Sequence, residues 1–157
     1  AWYWAGHDAK ALELSEQILS HTTAGSVHTE AAAVRILALV RSGRLDDAAE
    51  TAEAMVAPLT NQPEMAAHRY AVAALQLARD DIAGAQESLA RLIIFRARDP
   101  EWMPPALLLS ARGYLRAGQS DVAREILDEI QLNYPASPWA KEAAEQAGGF
   151  AETPEHH

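Results

Sequence analysis

The stretch Ala117-Gly118-Gln119-Ser120-Asp121-Val122-Ala123-Arg124-Glu125-Ile126-Leu127-Asp128-Glu129-Ile130 decides the fold. It opens on a small-residue turn, where glycine takes the left-handed conformation that closes a preceding helix. It then sets Val122, Ile126, Leu127 and Ile130 at three- and four-residue spacing. That is the periodicity of an amphipathic helix, since a strand would alternate. The glycine and the alanine five positions later recur in the chain. Gly6 to Ala11 and Gly43 to Ala48 share the skeleton, and Asp80 to Ala85 repeats it with aspartate in place of glycine. The four alanines lie 37, 37 and 38 residues apart, the signature of a repeat architecture.

Working outward, each unit reads as two helices joined by a short turn. Helices are expected near 8–21, 27–42, 45–58, 63–79, 82–98, 103–117, 120–133 and 138–147, after a stub at 1–5. Asp8, Asp46, Asp81 and Ser120 follow the turns as N-caps or first-turn acids. Asn61-Gln62-Pro63, Asp99-Pro100 and Ser137-Pro138 place proline near a first helical turn, where its missing N–H costs nothing. Abundant alanine and few β-branched residues favour helix throughout. The expected class is all-α.

With these residues in register, the chain resembles the tetratricopeptide repeat family. The unit 104–137 carries Leu107, Ala111, Tyr114, Gly118, Ala123, Leu127, Ile130 and Pro135 at the family's signature offsets. The match has gaps: Ile36 answers Ala111 in another unit, Gln76 answers Tyr114, and the period exceeds the family's usual 34. The longer units, with Asn133-Tyr134-Pro135 and Ser137-Pro138-Trp139, are similar to bacterial envelope members such as outer-membrane assembly lipoproteins and the Tol–Pal cell-division coordinator. The resemblance implies a right-handed α-α superhelix of antiparallel helix pairs. Residues 1–147 would form one repeat domain of about three and a half units plus a C-terminal helix, a fragment of a longer protein. Residues 148–157 would be a tail, with Glu155-His156-His157 reading as the start of a purification tag.

Composition narrows the chemistry. The net charge is −9, with 22 acidic against 13 basic residues, a balance that repels phosphate backbones and argues against nucleic acid as a partner. There is no cysteine, so disulfides and thiolate metal sites are out; this suits a periplasm, the compartment weakly favoured over the cytoplasm. No apolar run is long enough to cross a bilayer, so no direct membrane insertion is expected of this segment. Of the histidines, His7, His21, His28, His68, His156 and His157, no two stand at metal-binding helical spacing with an acid nearby. Asp46-Asp47 and Asp80-Asp81 read as helix-start acids rather than catalytic dyads. Trp102 and Trp139, beside prolines, read as seals between stacked units. No phosphate loop or nucleophile elbow is present. The expectation is a protein without cofactor or metal that is not an enzyme.

What the resemblance implies about function is a concave groove lined by the first helix of each pair. Carried residue by residue, the groove would comprise Tyr3, Trp4, Leu37, Arg41, Tyr70, Leu77, Leu108, Arg112 and Arg116. Apolar anchors beside arginines suit a peptide or protein segment that bears acidic groups. The expected function is therefore a non-catalytic protein–protein interaction scaffold. The alternative is an architectural spacer or self-association module of a larger envelope protein, forming a homo-oligomer through exposed end helices.

Overall fold

The computed structural model of the chain describes residues 7–59 and 61–149. Among these residues there are eight α-helices and no strand: α1 (Asp8–His21), α2 (Ser26–Arg41), α3 (Leu45–Ala54), α4 (Met65–Ala78), α5 (Ile82–Phe95), α6 (Met103–Arg116), α7 (Ser120–Asn133) and α8 (Pro138–Gly148). The stub expected at 1–5 lies outside the described residues, as do Gly6 and the histidines at 156 and 157. The fold is all-helical.

One turn is built three times. After α2, the Arg44 N–H donates to the Leu39 carbonyl at 2.9 Å and the Gly43 N–H to that of Val40 at 3.1 Å. After α4, the Asp81 N–H donates to Gln76 and the Asp80 N–H to Leu77; after α6, Gln119 donates to Tyr114 and Gly118 to Leu115. These paired bonds close the helix end by satisfying two carbonyls that have no partner within the helix. Each turn needs one left-handed residue, and Gly43 (φ 74°), Asp80 (φ 65°) and Gly118 (φ 76°) supply it. The aspartate that breaks the glycine pattern thus keeps its geometry. The alanine five positions on is buried every time: Ala11, Ala48, Ala85 and Ala123 are all within 3% of full burial.

Of the two roles expected at the helix starts, Asp8 and Asp46 take that of first-turn acids. His7, Arg44 and Gln119 occupy the cap positions and make no side-chain cap bond, so Asp8, Asp46 and Ser120 stand inside the first turn. Asp81 does cap, its Oδ1 accepting from the Gly84 N–H at 3.0 Å. Ser137 caps α8 by accepting from the Trp139 N–H at 3.3 Å, with Pro138 as first helical residue. Pro63 and Pro100 instead sit in turns ahead of their helices.

Two helices end early. α3 stops at Ala54 rather than at 58, because the Pro58 ring excludes helix at the carbonyl four residues before it. α5 stops at Phe95 rather than at 98, where residues 96–98 turn ahead of Asp99-Pro100.

The chain divides into two compact units, Ala1–Phe95 and Arg96–His157. In the first, α2 packs on α1, α3 and α4, while α4 packs on α2, α3 and α5. These two helices carry most of its core, with Ile36, Leu39 and Met65 fully enclosed. In α2 the alanines at 31–33 are all buried, and their small side chains allow neighbours to approach closely. In the second unit, α6, α7 and α8 pack pairwise around Leu127 and Ile130. Residues 102–111, from the cap of α6 through its first two turns, are buried without a break.

Candidate functional site

The sequence-predicted groove residues fall into three groups. Tyr3 and Trp4 lie outside the described residues. Leu37, Tyr70, Leu77 and Leu108 are buried, none more than 8% exposed. They belong to the core and do not face solvent, which corrects the expectation that they line an open groove. The physical reason is enclosure of the first helices: α2 and α4 touch each other as well as their flanking partners, so little of either reaches water.

The arginines form the third group. Arg41, in the last turn of α2, donates from Nε to Asp8 Oδ1 in the first turn of α1 at 2.7 Å. Arg112 pairs with Glu142. With its amide oxygen turned to the guanidinium, Gln146 also accepts from Arg112 at 3.0 and 3.1 Å. Glu142 and Gln146 stand one turn apart on α8, so Arg112 is a strut between α6 and α8. Arg116 is exposed in the last turn of α6. The structure therefore brings Arg41 and Arg112 to acids of the chain itself rather than leaving them to greet an acidic ligand.

The open space in the first unit is elsewhere. Helices α1 and α3 both pack on α2 but make no close approach to each other. Between them is a cleft of about 280 Å³, lined by Leu19, His28, Ala32, Arg35, Glu50, Thr51, Ala54 and Met55. Arg35 rises from α2 and ties its two walls: Nη1 donates to Glu16 Oε1 of α1 at 3.0 Å, and Nε donates to Thr51 Oγ1 of α3 at 3.2 Å. Thr51 is itself anchored, donating to the Asp47 carbonyl at 2.9 Å. At one end His28 Nδ1 lies 3.0 Å from the Thr22 carbonyl. A carbonyl only accepts, so Nδ1 carries the proton, and Nε2 of the neutral ring is an acceptor. Thr22 Oγ1 donates to the Ile18 carbonyl at 2.8 Å, which leaves its oxygen to accept from the same imidazole.

No family model, curated protein or solved structure matches the chain.

Arg35 is held by partners on both sides, and His28 is oriented by a backbone carbonyl. Among the described residues, no three His, Asp or Glu side chains come together to hold a metal ion. Nor is any helix among them long and apolar enough to cross a membrane. His68 of α4 lies away from this cleft; partial burial lowers its pKa from 6.5, and the neighbouring Arg69 charge lowers it further.

Sequence reading missed Arg35, Thr51 and the cleft they span. A signal was present in the repeat itself. Shifted by the 37-residue period, Ala32 falls on Arg69 and Ala54 on Arg91. Two small residues in one unit thus stand where the next has two of the longest side chains.

Proposed function

We propose that the chain is a non-catalytic interaction scaffold: a tetratricopeptide-like, right-handed solenoid of antiparallel helix pairs that holds a segment of a partner protein. The observation that carries this reading is the triple recurrence of one helix-closing turn, at Gly43, Asp80 and Gly118. Each turn is followed by a buried alanine five positions on. In each compact unit, alternate helices also lie side by side, α2 with α4 and α6 with α8. Units that stack in this way bury a continuous core and leave long surfaces and inter-helix clefts for recognition.

The partner's chemistry differs from that implied by the family resemblance. An arginine stripe draws acidic segments only while its charges are uncommitted, and Arg41 and Arg112 are engaged by Asp8 and Glu142.

Panning a random displayed-peptide library against the folded chain tests the reading. The expected result is enrichment of a shared motif whose synthetic peptide binds one to one. A library that enriches nothing over the heat-unfolded chain would overturn it. Sedimentation of the chain alone addresses the architectural alternative, since a concentration-dependent dimer without peptide binding supports self-association instead.

A further inference from the structure

Resting on the scaffold reading, we infer that the α1–α2–α3 cleft is the recognition site, and that its occupant is a segment presenting an apolar side chain flanked by basic residues. Half of the residues lining the cleft are apolar: Leu19, Ala32, Ala54 and Met55. Its volume of about 280 Å³ falls just below the ~300–1,000 Å³ of sites for drug-sized ligands. That size suits one or two side chains of a peptide rather than a cofactor.

The polar groups set the sign of the partner. Arg35 has its charge answered by Glu16, with Thr51 holding it on the other side. Glu50 on the α3 wall is exposed, and no hydrogen bond or ion pair engages it among the described residues. His28 offers Nε2 as an acceptor, because Nδ1 is bound to Thr22. The groups left to meet a ligand are thus a carboxylate and a ring nitrogen that accepts. They sit on a chain of net charge −9. An ammonium or guanidinium reaches Glu50 while its neighbour's apolar side chain enters the cleft, an arrangement in which charge fixes partner and register.

The equivalent positions of the next repeat carry different side chains. One period on, Arg69 replaces Ala32 and Arg91 replaces Ala54. Arg69 lies across its own helix with Nε 3.1 Å from Met65 Sδ, and it feels the charges of Arg91 and Glu87 on α5. Glu87, the counterpart of Glu50, is held by Arg91 at 2.6 Å. The next repeat therefore places two long cationic side chains where the first has alanines, and neutralises its carboxylate from within the chain. In the first, the space and the carboxylate are left to something that binds.

The test uses two fluorescent peptides, each centred on leucine, one flanked by lysines and the other by glutamates. Binding is read by anisotropy, and the site by amide shifts in the full chain. The lysine-flanked peptide is expected to bind and to move amides of α1, α2 and α3. Glu50→Lys, at an exposed position that leaves the fold intact, should weaken it by about tenfold. Ala54→Arg, which installs the next repeat's side chain at an exposed position, should abolish binding while circular dichroism reports an unchanged helix content. Preference for the glutamate-flanked peptide, or binding unchanged by Glu50→Lys, overturns the inference. Library binders whose shifts fall outside α1–α3 overturn it too, and leave the scaffold reading standing. A library without binders removes both.

Discussion

At Asp80 the backbone holds a left-handed conformation, φ 65°, that an L-residue adopts at a cost of roughly 1–2 kcal/mol, reduced for aspartate. Asp80→Gly relieves that cost, offset in part by glycine's greater freedom when unfolded. It should raise unfolding stability by about 0.5 kcal/mol, read as a higher urea midpoint. At Gly43 an added Cβ meets nothing within 4 Å, so Gly43→Ala meets only the conformational penalty and should lose about 1 kcal/mol. His68 gives the pH dependence. Burial, with Arg69 beside it, holds its pKa below 6.5, so below that pH the unfolded chain binds a proton that the folded chain refuses. The stability linked to His68 is complete above pH 6.5 and falls as pH drops through the window beneath. His68→Gln should flatten that part of a stability–pH profile and leave the neutral end little changed.

Among the elements, the alanine seam sets how closely paired helices approach. Ala85 is 1% exposed on α5, which packs on α4. Ala85→Leu should cost about 1–3 kcal/mol by overpacking, and an unmoved thermal transition would show that the seam has slack. The seam, the glycine turns and the helix starts were legible because each depends on residues within one turn of chain. Helix ends at α3 and α5 were overrun because proline acts on carbonyls several positions upstream, where the apolar pattern still reads as helix. The exposure of Leu37, Leu77 and Leu108 was misread for a different reason. Whether a first-helix residue meets water is decided by helices distant in sequence, and apolar spacing is the same on a groove as in a core.

For the whole molecule, the division into Ala1–Phe95 and Arg96–His157 places an irregular connection at residues 96–102. Exposed Arg98 lies in that connection, and such segments are nicked before helices are. Limited trypsin digestion should cut first at residues 96–98, giving two fragments that mass spectrometry identifies. First cuts inside α2 or α4 would show that the units do not hold as bodies. At this scale the cleft was half legible. The substitution of Ala32 and Ala54 for Arg69 and Arg91 is visible in aligned repeats. The span of Arg35 from Glu16 to Thr51 is not, because it joins two helices whose backbones make no close approach.

The identical turns after α2 and α4 also define a cassette. The stretch from Arg44 through Asp80 begins just past one left-handed residue and ends on the next. A ribosome reading the chain with those 37 residues deleted would join Gly43 to Asp81, handing α5 the same exit from a closed helix that α3 had. Duplication would do the reverse, adding a hairpin without a new joint to invent. Length, in such a chain, is a quantity that recombination can adjust in whole periods.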